Sequence, residues 1–346
     1  MGYTVGMSDH SQRDVRAAFA SVSAACDAAR HVQRDLDGLA ARRLMKDDKS
    51  PVTVADFAVQ AVVAMRLEQS LGPSLIVGEE HAGMLRSEDQ SALRDAVVEA
   101  VRMVEPSASV NQVLDAIDRC DHDATAEAYW TLDPIDGTKG FLRGQQYAIA
   151  LARIERGRAV LGVMGCPNLP VDFGAPLDHA DSRGAIYTAT LGGGTWEQAG
   201  TSMDGTCRRI AAAANGVGRG IRACESVEAA HSRHDDSARV LHELGEAGTP
   251  VRLDSQCKYA IVARGQADVY LRMPTKKGYI EKIWDHAAGV IIAAEAGAVV
   301  TDITGARLDF SHGRLLQANR GIVCAAPGVH GRIIETIDRL GIGVAV

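Results

Sequence analysis

Residues 130–144 read Trp-Thr-Leu-Asp-Pro-Ile-Asp-Gly-Thr-Lys-Gly-Phe-Leu-Arg-Gly, which places two carboxylates and a pliable turn in one short segment. Asp133 and Asp136 sit three residues apart around a Pro-Ile step, and Gly137-Thr138 follows at once. Pro134 restricts Asp133 to extended backbone. Gly137 lets the chain approach a ligand closely. The N–H groups of Gly137 and Thr138 can meet phosphate oxygens if a helix starts there. Carboxylates without a neighbouring His or Cys select Mg²⁺ over zinc. Cation and phosphate cradle together are most of what metal-assisted phosphate hydrolysis needs. Phosphatases with an aspartyl nucleophile carry Asp-x-Asp-Gly-Thr after an apolar strand. Here the spacing is one residue longer, which moves the first carboxylate off the attacking position. Water, not Asp133, is therefore the expected nucleophile.

Three further acidic positions lie at ends of expected elements: Asp56 in a first helical turn, Glu79-Glu80 after an apolar run, and Asp285 opening a helix within Lys282–Gly289. Each also has an ordinary reading. Asp near a helix start caps it or meets its dipole, a Glu pair after a strand is a solvated loop, and Asp-Pro or Asp-Gly forms turns. Residue by residue, only the 133–138 turn favours function.

Apolar spacing predicts a helix over 12–40, then a polar loop at Lys46–Ser50 and a second helix over roughly 54–71, capped by Thr53 and ended by Gly72-Pro73. Ser74–Gly78 reads as a short buried strand that delivers Glu79 and Glu80. Residues 87–119 read as one or two helices. A strand runs into Asp133, and Gln145–Gly165 reads as a hairpin turning at Gly157. Ala185–Thr190 and Thr195–Gln198 flank a triple-glycine turn. After a Gly-, Ala- and Ser-rich stretch at 199–220, strands and helices alternate to the end. The expected organisation is a loose leader over 1–11, an α+β lobe over 12–204 and an α/β lobe over 205–346.

The 346 residues are enough for two lobes around large cores. A formal charge of −7 gives no support for nucleic acid as a partner. Seven scattered cysteines without zinc spacing, and no basic-then-apolar start, point to a reduced, cytoplasmic protein. No apolar run approaches a membrane span. Oligomeric state leaves no trace in the sequence.

Gly78-Glu79-Glu80, Asp133-Pro-Ile-Asp-Gly-Thr138 and Trp284-Asp285-His-Ala-Ala-Gly289 together resemble the signatures of the inositol monophosphatase superfamily of Mg²⁺-dependent, lithium-sensitive phosphatases. Lys139–Gly144, Val163–Asn168, Asp254–Tyr259 and Glu281–Asp285 are similar to its 3′(2′),5′-bisphosphate nucleotidase branch of yeast and plant type. The resemblance runs from about residue 12 to 340. It implies a layered αβαβα sandwich, α+β followed by α/β, with the site between the lobes. It also implies two to three Mg²⁺ ions. Glu79, Asp133 and the carbonyl of Ile135 would hold one, and Asp133, Asp136 and Asp285 a second. Asp56 and Glu79 would assist a third through water. Thr138, paired with Asp56, would orient the attacking water, while Gly137 and Thr138 cradle the phosphate. His231, Ser255, Lys258 and Arg272 would bind the rest of the substrate, with His231 preferred over His234 on the nucleoside side.

The substrate so implied is the small molecule adenosine 3′,5′-bisphosphate, cleaved at its 3′-phosphate, with the 2′,5′ isomer and the sulfated analogue as secondary substrates. An inositol polyphosphate 1-phosphatase or inositol monophosphatase is the nearest alternative. A non-catalytic metal- or nucleotide-sensing protein is the alternative of a different class.

Overall fold

In the first helix, α1 (Asp9–Arg34), Val15, Ala18, Phe19, Val22, Ala25, Cys26, Ala29 and Val32 recur at helical spacing and are all buried. The second, α2 (Pro51–Leu71), is apolar nearly all round, and residues 54–64 are buried apart from Asp56. Such a helix has to be covered on several sides. It packs against α1, against α3 (Ser91–Arg102) and α4 (Val110–Asp118), and onto the sheet below. It begins at Pro51 and not at 54, because proline's missing N–H costs nothing in a first turn. Thr53 therefore lies inside the helix.

The computed structural model describes residues 9–36, 51–213, 220–227, 234–245, 250–274 and 278–343. Most of the expected leader and the loop at 46–50 lie outside them, and the first helix already includes Asp9–Ser11.

Seven strands follow one another across the first sheet: β1 (Ile76–Gly78), β2 (Ala128–Asp136), β3 (Ala148–Glu155), β4 (Arg158–Cys166), β5 (Ala185–Thr190), β6 (Gly194–Ala199) and β7 (Cys207–Ile210). Only the β1–β2 pair is parallel. A short helix, α5 (Thr138–Leu142), leaves the end of β2. The first sheet thus continues past the expected division at 204/205. The second sheet starts at β8 (Ala223–Glu225), and its order is β11-β12-β10-β8-β9. Here β9 is Val251–Arg252, β10 Val269–Arg272, β11 Val299–Thr301 and β12 Ile322–Ala325.

Between the sheets lie α7 (Cys257–Ala263) and α8 (Ala287–Glu295); α8 packs on β3 to β6, and α7 on β10 and β12. Outside the second sheet, α9 (Pro327–Arg339) packs on β12 and on α6 (His234–Glu243). The order helices, sheet, helices, sheet, helices is the expected αβαβα sandwich. Within the middle layer, Gly289 allows α8 to touch α7: a Cβ there would lie 2.2 Å from the Tyr259 ring. Among the described residues no helix is long and apolar enough to cross a membrane.

Candidate active site

A regular strand would send Asp133 and Asp136 to opposite faces, because side chains alternate with a period of two. The structure avoids this with a bulge. Asp133 stands opposite Ala150 and Asp136 opposite Ala148, so three steps on β2 match two on β3. Pro134 lies in this interval and has no N–H to give the ladder. Ala148 and Ala150 face the layer of α7 and α8, whereas Leu132 packs with the outer helices. Both carboxylates therefore turn towards the second lobe.

Immediately beyond, Gly137 adopts φ +89° and α5 begins at Thr138. The first-turn N–H groups of a helix have no intrahelical partner. A Cβ at Gly137 would lie 2.8 Å from Ser255 Cβ and 3.3 Å from its N atom, so the two lobes meet at this glycine. Gly137→Ala is expected to cost about 2–4 kcal/mol of stability from left-handed strain and overpacking together. Activity should fall with it, because the turn must move. Urea unfolding and turnover measured together check this, and an unchanged midpoint would refute the close-approach argument.

Other elements bring the remaining acids to the same place. The Gln60 side chain on α2 accepts from the Glu80 N–H at 3.0 Å and donates to its carbonyl at 2.7 Å, fixing the chain just after β1. Asp285 does not open α8; it lies in the turn before it. His286 occupies the cap position, but its ring turns inward, with Nδ1 2.9 Å from the Tyr259 hydroxyl and Nε2 3.3 Å from Glu281. Gln256 ties this turn to the start of α7. It donates to the Trp284 carbonyl and accepts from the Gly289 N–H, both at 2.9 Å, while its own N–H donates to Asp136 at 2.5 Å.

These elements enclose a cavity of about 340 Å³. Glu79, Asp133, Ile135, Asp136, Gly137, Thr138 and Asp285 line it, as do Ser255, Lys258 and Arg272. Of the residues expected from the sequence, Asp56 is not in the lining. It is near enough to Glu79, Glu80 and Asp133 to feel their charge. His231 lies outside the described residues, and of His234 only its place at the start of α6 is described.

Electrostatically the acidic side is under tension. Burial, then Asp136, Glu79, Asp285 and Asp56, pushes the Asp133 carboxyl well above the usual carboxylate range. Burial also raises Asp56 and Asp136; for Asp136, Lys258 and the Gln256 N–H act against it. Burial pushes Asp285 up to about 8 despite Arg272, and Glu79 up to about 7 together with Glu80 and Asp136. Asp133 Oδ1 is buried with no hydrogen-bond partner among the described residues. A buried carboxylate oxygen left alone among other carboxylates is a costly arrangement unless a cation completes it. The carboxylates that line the cavity offer oxygen donors, which fit a hard divalent ion; at their edge Glu281, Asp285 and His286 bring ligand atoms within 4.8 Å of one another and add one imidazole nitrogen.

Arg272, expected to bind the second anionic group, lines the cavity but is already paired. Its guanidinium is held by both oxygens of Glu281, at 2.9 and 2.7 Å, and lies 3.8 Å from Asp285. Burial alone would raise Glu281, but His286 and Arg272 hold it down at about 2. Lys258 is 3% exposed, its Nζ 3.4 Å from the Leu253 carbonyl and 5.2 Å above the Tyr270 ring. Ser255 has φ +71°, a strained value for a non-glycine residue, held by the contacts around it.

Sequence reasoning missed Tyr279, which lines the cavity with a half-exposed ring, and the stitching role of Gln256. A single Tyr in a loop carries no periodic signal. The positive backbone at Ser255 likewise has no counterpart in residue type.

The sequence model described as the inositol monophosphatase family matches residues 13–341. A 3′(2′),5′-bisphosphate nucleotidase of Schizosaccharomyces pombe is 41% identical over 307 residues, covering 86% of this chain and 86% of that protein. One from Oryza sativa is 40% identical over 346 residues, covering 94% and 93%. Among solved structures, an inositol monophosphatase from Anabaena has a TM-score of 0.58 at 18% identity, covering 95% of this chain and 97% of that one. SuhB of Mycobacterium tuberculosis has 0.56 at 21%, covering 95% and 96%. At these identities the structural likeness concerns the fold.

Proposed function

The chain belongs to the inositol monophosphatase family, and from that premise we propose that it is a Mg²⁺-dependent, lithium-sensitive 3′(2′),5′-bisphosphate nucleotidase. It removes the 3′-phosphate of adenosine 3′,5′-bisphosphate to give AMP and phosphate. The observation that carries this reading is the set of charges lining one cavity. Five carboxylates (Glu79, Asp133, Asp136, Asp254, Asp285) line it together with the cations Lys258 and Arg272, which border the acids at Asp136 and Asp285. That suits a small molecule with one phosphate at the metal ions and a second anionic group away from them.

In this reading Glu79, Asp133 and the Ile135 carbonyl would hold one ion, and Asp133, Asp136 and Asp285 a second. Bound Mg²⁺ supplies charge for the leaving oxygen and acidifies a water. The Gly137 and Thr138 amides orient the scissile phosphate. Thr138, paired with Asp56, would orient the attacking water. Lys258 meets the second phosphate as a point charge. Arg272, neutralised by Glu281, shapes that wall more than it attracts the anion. The half-exposed Tyr279 ring offers the nucleoside an apolar face.

Rates on adenosine 3′,5′-bisphosphate, inositol 1-phosphate and fructose 1,6-bisphosphate decide between this and the inositol phosphatase alternatives. The nucleotide should be fastest by far; if it is slowest, the substrate assignment is wrong. Lys258→Met is expected to raise KM for the bisphosphate about 10- to 100-fold, the value of a lost charged hydrogen bond. Adenosine 3′-monophosphate, lacking the second anion, serves as control. Equal effects on both substrates would place Lys258 at the cations instead.

A further inference from the structure

We infer that Arg314 is a positioning residue that clamps the Glu79 and Asp285 loops across the cleft and so sets metal affinity; the inference rests on the metal reading above. No motif of the sequence singled Arg314 out. Its guanidinium Nη2 donates to the carbonyl of Gly78, the residue before Glu79, at 2.5 Å. Its Nη1 donates to the carbonyl of His122 at 3.0 Å. The same group lies over the ring of Trp284, the residue before Asp285, 4.9 Å from its centroid. Backbone contacts complete the link: the Ile283 N–H donates to the Arg314 carbonyl at 3.2 Å, and Lys282 forms an isolated bridge with Leu315.

One side chain thus touches the backbone next to one expected ligand and the ring next to another, although these belong to different lobes. A planar guanidinium suits this, since it donates to two carbonyls while lying over a ring. A cation near the site would by itself repel Mg²⁺, so the sign of the net effect rests on geometry. Groups that orient metal ligands typically change affinity about 10- to 100-fold when removed.

Arg314→Lys keeps the charge and loses the fork, which isolates the geometric contribution. Calorimetric titration of the full chain with Mg²⁺, without substrate, should show affinity weakened about tenfold. The metal-free unfolding midpoint and the KM for nucleotide at saturating Mg²⁺ should stay near wild type. Arg314→Gln, whose amide nitrogen stops two atoms short of the Nη positions and carries no charge, should weaken affinity at least as much; it is the variant read if the lysine form does not fold. Affinity within twofold of wild type in the folded variant would overturn the clamp. A wild-type protein that binds no Mg²⁺ would overturn the metal reading and the clamp with it. Tight Mg²⁺ binding without nucleotide turnover would overturn only the substrate.

Discussion

Asp133→Asn is expected to lower kcat by about 10³-fold while making the metal-free protein more stable. The two effects have one cause. Asp133 is 3% exposed, one of its oxygens has no partner among the described residues, and four other carboxylates press on it. In the proposed site it would serve as a ligand to both ions. Neutralising it removes several kcal/mol of charge stabilisation, and each 1.36 kcal/mol is tenfold in rate. Without ions the same charge only repels its neighbours, so the amide should raise the unfolding midpoint in EDTA by about 1–2 °C per kcal/mol relieved. Asp136→Asn should also abolish phosphate release. Turnover and thermal unfolding in EDTA check both statements. Full activity would remove Asp133 from the metal site, and a lowered midpoint would refute the repulsion.

Metal-free protein should lose stability from about pH 4 to pH 8, and millimolar Mg²⁺ should reverse most of the loss. Asp285 moves from 3.8 to about 8 and Glu79 from 4.5 to about 7, and Asp56, Asp133 and Asp136 are also raised. An acid whose folded pKa is raised binds more protons folded than unfolded in the interval between the two values. Its contribution is complete below the unfolded pKa and disappears as pH climbs through the folded one. Glu79 opens to solvent at the rim, so its share is the most screened. Glu281, held at about 2, has the opposite sign mostly below this window. His286 and His330, both lowered by burial, offset part of the loss up to about pH 6.5, so the decline is steepest above it. Bound Mg²⁺ takes the place of the protons. At 100 times its dissociation constant it adds about 2.7 kcal/mol, and the gain should be larger at pH 8 than at pH 5. Unfolding midpoints at pH 5, 6.5 and 8, with EDTA and with Mg²⁺, test this. Flat midpoints that ignore Mg²⁺ would mean that these carboxylates do not form a cation site.

Much of this was readable in residue order. Apolar spacing located most elements within a few residues. The oxygen-only character of the turn at 133–138 raises the expectation of hard cations and phosphate, and its extra residue that of a water nucleophile; both belong to the proposed function. Three short motifs in the right order resembled one family, and the matching sequence model spans nearly the whole chain. These features are legible because they depend on local chemistry: backbone restriction by Pro134, freedom at Gly137, the helical period of α1.

The assembled site was not legible in that way. Asp133 and Asp136 share a face only because β2 bulges against β3, and strand periodicity alone predicts the reverse. Arg272 is spent on Glu281, a pairing nine residues apart that no propensity announces. Gln256 and Arg314 matter through what they touch in other elements. Backbone preferences are set by nearest neighbours and can be read one segment at a time. Charge balance, register and ligand spacing depend on which distant segments pack together. The turn at 133–138 announces metal and phosphate, but the closing of two lobes around it determines which carboxylates lack a partner, which cation is already neutralised, and hence where a metal and a second anion fit.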